Sequence, residues 1–465
     1  MAMEHLKTAL LWVLILTSVG LTYSIWTFQP DFSPLDSSGT IESPDIGVEK
    51  SHVDLLIPES ITIHENEERY WLEPEEERFT SQMEALLDVE FERVVDYPRS
   101  GVPVLNQPAR AIDYKFHSPI PGSTINELFD FGEETIAITS VDRIYITRST
   151  TSANGEVIAR FISTEDEEIY QAETNLNNDQ LVAMYEGERD HMYEARGVSF
   201  DEENLYGDYA YLPVEPLTMR KLTYSWNSIS EQDMRAVMFS DPDLVQEYPR
   251  GPTTRMYSDG SRFLEVTRRS SGNVMKFEHQ RTGTFDENET ETHVLEDALD
   301  FINLRGGWTD HYGVDAWHHG FIDSVTYRMH VDGLPVLGGS ANQDLYYTKE
   351  ITRAGNEINK YERPLFRLDG QFNQDEPIAL PPLDEMMSYL EEMEDFDTDS
   401  IEGIRFGYFM DSSTSSFMIF SPDWFIKRGN WQRFSDIEDE YEERLLEEEE
   451  EEEEEDNDEE MEEES

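Results

Sequence analysis

The sequence has no cysteine. That excludes disulfides, thiolate metal sites, a cysteine nucleophile and a lipid-modified N-terminal cysteine. Lysine is scarce, with 8 Lys against 27 Arg in 465 residues. Positive charge of either kind is thin: 35 Lys and Arg face 101 Asp and Glu, a formal net charge of -66. The acidic run from Glu442 to the end does not account for this, because the rest of the chain still carries 83 acidic and 34 basic residues. Nucleic acid and anionic headgroups are poor partners for such a surface. Arg keeps its charge at a pH where Lys titrates, so a surface that retains Arg and adds carboxylates suits an alkaline or saline medium. The Walker loop and the H-E-x-x-H, G-x-S-x-G and S-x-x-K patterns are all missing. Beyond residue 28 there is also no apolar run long enough to span a bilayer.

One such run is present, at the start. Thr8 to Phe28 is 21 residues without a formal charge. At about 1.5 Å per residue it matches the ~30 Å hydrocarbon layer. The apolar core of a signal peptide is shorter and ends in a small-x-small cleavage site. This run ends instead in Tyr23, Trp26 and Phe28, an interfacial aromatic cluster. The reading is an uncleaved single-pass anchor over 8–28, with Lys7 holding the N-terminus in the cytoplasm and the bulk of the chain outside the cell membrane. Thr17, Gly20 and Ser24 fall on one helical face, and small residues there let a second helix approach closely.

Composition and periodicity divide the remainder. Residues 31–50 read as a polar tether after the stub and anchor of 1–30. An N-terminal extracytoplasmic domain is expected over 51–205, a middle helix-plus-meander domain over 206–285, and a C-terminal helix-plus-sheet domain over 286–440. A disordered acidic tail follows over 441–465. Phe79, Met83, Leu86, Leu87, Phe91 and Val94 recur at helical spacing and predict a helix over 76–95. A hairpin is expected around Asn154-Gly155, a helix over 176–188, and a helix from a capping box at Ser230 and Asp233. Turns are expected at Asp259-Gly260, Gly272-Asn273, Asp332-Gly333 and Gly355-Asn356. Helix followed by antiparallel strands occurs twice, which suggests an internal structural repeat. The fold class is α+β, a single N-terminal transmembrane helix followed by helices packed on antiparallel sheets, because the strands come in hairpins rather than βαβ units.

One stretch invites a metal reading: "DHYGVDAWHHG", with Asp310, His311, Asp315, His318 and His319. His318 and His319 are adjacent, so in a strand they point to opposite faces and cannot share an ion. Surface or packing roles are expected, with no metal and no cofactor. Gly306, Gly307 and Trp308, and Arg363-Pro364, read as turn and core packing. The residues alone describe a membrane-anchored protein with a large acidic outer region and no visible catalytic residues. They leave its function open.

A resemblance narrows this. "LTSVGLTYSIWTFQP" (16–30), "LIPESITIH" (56–64), "MFSDPDLV" and "MYSDGSRFLEV" (238–266), "FINLRGGWTDHYG" (301–313), "VTYRMHVDGLPVLGG" (325–339), "YERPLFRL" (361–368) and "SPDWFIKRGNW" (421–431) resemble segments of the YycH family, in family order. The resemblance implies a membrane-anchored accessory regulator of a WalK-type sensor histidine kinase, working with a YycI-like membrane protein to adjust cell-wall metabolism. It implies no catalytic residues and an α+β fold of several extracytoplasmic domains. The acidity and polyglutamate tail depart from the family pattern. The alternative is an extracytoplasmic ligand- or cell-wall-binding module acting without a kinase.

Overall fold

A computed structural model of the chain shows, among the described residues, two β-sheets, each with helices packed on it. The structure describes residues 17, 44 and 46–447, apart from 98–108, 150–155, 201–208, 270–271, 281–291, 339–343, 373–375, 394–395 and 412–416. The chain divides into residues 1–43 and 44–465. Within the first unit only Thr17 is described, helical and exposed. The expected anchor, with Lys7, Gly20, Tyr23, Ser24, Trp26 and Phe28, therefore lies outside the described residues. So do the Asn154-Gly155 turn and the tail beyond 447. Among the described residues no helix is long and apolar enough to cross a membrane.

The first sheet has nine strands, in the order Phe91–Asp96, Glu168–Asn177, Glu156–Ser163, Ser140–Arg148, Ala109–Pro121, Pro58–Asn66, Glu68–Leu72, Met192–Ser199 and Tyr209–Pro213. One face is apolar. Ile61, Ile63, Ile112, Tyr114, Ile144, Ile146 and Phe161 line it and are buried. The helix Glu76–Leu87 lays Phe79, Met83 and Leu86 against this face, one per turn. Burying each such side chain stabilises the fold by about 1.5–3 kcal/mol. The helix Asn178–Glu186 adds Leu181 and Tyr185, and its start is fixed by a full capping box between Asn177 and Gln180.

The first helix ends at Leu87, not at 95, which corrects the sequence expectation. Phe91–Asp96 form an edge strand paired with Glu168–Asn177. Phe91 N–H donates to Asp130 O at 2.8 Å, and Arg93 adopts a positive φ of 52° inside an irregular register. Val94 and Val95 are β-branched and favour a strand. An open sheet edge decided the conformation where helical spacing alone pointed the other way.

The second sheet runs Gln246–Pro249, Thr254–Ser258, Arg262–Thr267, Val274–His279, Glu357–Pro364, Thr348–Ala354, Asp323–Val331, Leu334–Leu337, Gly403–Asp411, Phe417–Arg428, Leu217–Ser228 and Phe366–Gln371. Tyr312–His318, Glu376–Leu380 and Asn430–Arg433 pair alongside it. Segments 206–285 and 286–440 both contribute strands here, joined where Val274–His279 pairs with Glu357–Pro364. The two helix-then-strand runs begin at Glu231–Met238 and Val294–Leu304 and merge into this one sheet. Ser230 Oγ accepts from Gln232 N–H at 3.1 Å and caps the first of those helices.

The sheets meet at a tight turn. Asp332 and Gly333 have φ of 50° and 81°, the left-handed pair of a type I′ hairpin. A Cβ on Gly333 would lie 2.9 Å from the backbone nitrogen of Glu75, at the start of the Glu76–Leu87 helix. Glycine is needed there twice over, for its φ and for the close approach. Nearby, Trp317 Nε1 donates to Pro119 O at 2.6 Å, and the rings of Trp71 and Phe406 lie 5.1 Å apart.

Candidate functional site

The strand Ala109–Pro121 shows how the junction is built. Ile112, Tyr114 and Phe116 alternate with Asp113, Lys115 and His117, so one face is apolar and the other polar. Neighbouring strands extend the polar face. Thr62 lies opposite Asp113 and His64 opposite Ala111, while Arg143 lies opposite Lys115 and Tyr145 opposite Asp113. Apart from half-buried His117, these side chains are buried. Polar groups deprived of water need partners, and the face divides into two groups that meet this need differently.

The first group centres on His64, Asp113 and Arg143. His64 Nε2 is 3.9 Å from Asp113 Oδ2, and Arg143 Nε is 3.5 Å from Asp113 Oδ1. Neither ring nitrogen of His64 meets a hydrogen-bond partner among the described residues. Tyr145 and Tyr211 pack edge-on against the imidazole at 5.2 and 5.1 Å. Burial drives the His64 pKa well down, with Arg69 and Arg143 adding to it. Burial also raises the Asp113 carboxyl, against the pull of Arg143 and Lys115.

The second group bridges the two sheets through a continuous series of hydrogen bonds. Arg405 Nη1 lies 3.0 Å from His117 Nδ1, His117 Nε2 lies 3.2 Å from His330 Nε2, and His330 Nδ1 lies 3.0 Å from Arg328 O. Arginine only donates and a carbonyl only accepts, so the network assigns the protons in between. His117 carries its hydrogen on Nε2 and His330 carries its on Nδ1. Asp315 anchors the set, accepting from Arg328 Nε at 2.8 Å and pairing with Arg328 Nη2 at 2.7 Å and Arg405 Nη2 at 3.7 Å. Burial alone would raise the Asp315 carboxyl, but Arg328 and Arg405 outweigh it and hold the group below the usual carboxylate range. Burial lowers both histidines well below 6.5, helped at His117 by Arg405 and at His330 by His117.

A cleft of about 300 Å³ opens onto this group. Glu59, Lys115, Glu402, Arg405, Lys427 and Trp431 line it, together with His117. Lys115 pairs with Glu59 and Lys427 with Glu402, each at 3.5 Å, and the Arg405 guanidinium lies 3.9 Å over the Trp431 ring. Paired charges beside an aromatic ring can hold a polar molecule and orient it.

Of the residues the metal reading gathered, the structure brings the side chain of Asp315 into this network, while His311 O accepts from His330 N–H at 2.9 Å. Asp310 accepts from Leu368 N–H at 2.8 Å, His311 faces Glu76 at 3.0 Å, and His319 faces Asp323 at 2.9 Å. His318 ends its strand, exposed. Among the described residues no three such groups converge as a metal-ligand set. Arg363 is buried and donates to Gly307 O, Pro364 O and Thr309 Oγ1, while Trp308 sits in the core beneath them. Of the seven positions proposed at the anchor, only Thr17 is described. Sequence reading passed over His117, His330, Arg328 and Arg405. Their one signal is a polar residue recurring at inward positions of otherwise apolar strands, as in "IDYKFH" and "VTYRMHV".

Comparison with known proteins finds two family models along the chain. The model of the YycH protein N-terminal domain matches residues 4–186, and that of the YycH protein C-terminal domain matches residues 208–440. A Bacillus subtilis (strain 168) protein described as "Two-component system WalR/WalK regulatory protein YycH" is 24% identical over 451 residues, covering 92% of this chain and 95% of its own. The crystal structure of YycH from Bacillus subtilis superposes with a TM-score of 0.67 at 18% identity, over 83% of this chain and 98% of the other. The fold is therefore shared.

Proposed function

Because the chain belongs to the YycH family, we propose that it is a membrane-anchored accessory regulator of a WalK-type sensor histidine kinase in a two-component system. The match of both domain models in order supports this, with a relative described as a WalR/WalK regulatory protein aligned over 92% of the chain. In this reading the protein acts by binding and not by catalysis. Residues 8–28 span the membrane with Lys7 inside and Tyr23, Trp26 and Phe28 at the interface. The outer units over 51–205, 206–285 and 286–440 meet a YycI-like partner. The Thr17–Gly20–Ser24 face packs on another membrane helix. A helix that packs better on one of two kinase conformations shifts their balance by its difference in affinity, and a few kcal/mol suffice.

The test is a kinase-output reporter in the native host, with residues 8–28 replaced by a generic poly-Leu anchor. We expect output to match a deletion strain while the outer region remains folded and present. Wild-type output from the swap would remove the helix contact and move regulation to the outer units. The cleft favours one other reading, a polar-ligand-binding module that acts without a kinase. That reading requires the deletion phenotype to persist in a strain whose kinase activity is fixed.

A further inference from the structure

The junction between the sheets has a property that its family membership does not assign. Three contacts join Arg405, His117, His330 and the Arg328 carbonyl in series, and each gap holds one hydrogen. His117 belongs to the first sheet, while His330 and Arg405 belong to the second. The chain of hydrogen bonds is thus also a fastening between the two sheets, and it has no room for a fourth hydrogen. A proton added to His330 Nε2 would oppose the hydrogen already on His117 Nε2. A proton added to His117 Nδ1 would oppose the N–H of Arg405. Turning either ring only moves the collision to the next gap.

We propose that this relay is an acid-sensitive latch, closed while both imidazoles are neutral and opened when either takes a proton.

The surroundings fix the direction of the response. Facing the pair are Lys115 from its own strand, Arg328 and Arg405 from the second sheet, Asp315 from Tyr312–His318, and Glu59 from Pro58–Asn66. Asp315 is already committed to both arginines, and Glu59 to Lys115. An imidazolium would therefore enter a site with three cations whose counter-charges are taken. Burial adds the cost of desolvating the new charge. Protons reach the site through the cleft, which His117 and Arg405 both line. Opening the junction lets water solvate the charge, so acid favours separation of the sheets. Trp317 to Pro119 and Trp71 against Phe406 are the contacts that separation would strain next.

The experiment uses the full-length chain, which has no native cysteine to interfere. Glu165→Cys and Glu402→Cys place spin labels on opposite walls of the cleft, both at exposed positions. We expect one short distance at about pH 7.5 and a second, longer population that grows as the pH falls to about 5, across the range where an imidazole is protonated. In the labelled His117→Gln/His330→Gln background that longer population should not appear. A wild-type distance that ignores pH overturns the proposal, and so does the same opening in the double variant. Should that variant fail to fold, selective histidine NMR on the wild-type chain decides instead. At about pH 7.5 the tautomers must be Nε2–H for His117 and Nδ1–H for His330, and protonation must coincide with the change in distance. Other tautomers, or protonation without separation, refute the latch. None of these readouts involves a kinase, so the outcome is independent of the proposed regulatory role.

Discussion

His64 and His117 both lie in the first sheet, but the fold treats His64 and the His117–His330 pair, which reaches across to the second sheet, in opposite ways. His64 is packed between two tyrosine edges with no hydrogen-bond partner for either nitrogen among the described residues. His117 and His330 have every ring nitrogen engaged. Burial lowers the pKa of all three, so burial does not separate them. What separates them is position. His64 lies within the first sheet, where aromatic packing suffices. The pair lies where two sheets must be held in one relative register. Directional bonds specify that register in a way apolar contact does not, at the cost of requiring every member.

The sharpest way to break the contrast is to remove the anchor of the connected group. Asp315→Asn leaves Arg328 and Arg405 buried with their shared carboxylate gone. Loss of one partner from a buried ionic network costs about 3–5 kcal/mol. A urea denaturation series should show the midpoint falling accordingly, with the junction opening before the first sheet's apolar core. A loss under about 1 kcal/mol would mean that the arginines are solvated and the junction is not closed.

Next in size is a matched pair of substitutions. His117→Leu strands Arg405 Nη1 and His330 Nε2 without their partner, which should cost about 1–3 kcal/mol. His64→Leu strands no hydrogen-bonded group and exchanges an imidazole for an apolar side chain between tyrosines, so it should be neutral or stabilising. Equal losses from the two, measured by the same denaturation, would erase the distinction between the groups.

The sequence made the apolar face far more legible than the polar one. Phe79, Met83 and Leu86 announce their helix because a one-sided apolar stripe is a local pattern. The hairpin glycines at 260, 272, 333 and 355 announce their turns because positive φ is a local demand. Phe91 and Val94 misled because they continued the helical spacing while a distant strand, Glu168–Asn177, supplied the competing bonds. The junction was hidden for the same reason: His117, His330 and Arg405 are 213 and 288 residues apart in the contacts that define them. Lys349 is the extreme case. It is fully buried with its amine 4.1 Å from the Tyr312 ring centre and 4.6 Å from that of Trp308, and nothing in "YYTKE" marks it.

The smallest predicted effect isolates His64 by its pH dependence. Its folded pKa lies well below 6.5, chiefly through burial, while the unfolded chain titrates near about 6.5. Below that pH the unfolded state binds a proton that the folded state refuses, so stability rises with pH through this window and is lost as pH falls. The slope for one such group is at most about 1.4 kcal/mol per pH unit, and His117 and His330 contribute with the same sign. His64→Leu should therefore leave the acid slope shallower by one proton's share and change nothing in it above about pH 7.5, where His64 is neutral in both states. Unfolding free energies measured at intervals from about pH 7.5 to about pH 5.5 resolve that share. An unchanged slope would mean that His64 takes up its proton in the folded state. The two histidine environments would then differ in how they answer acid as well as in geometry.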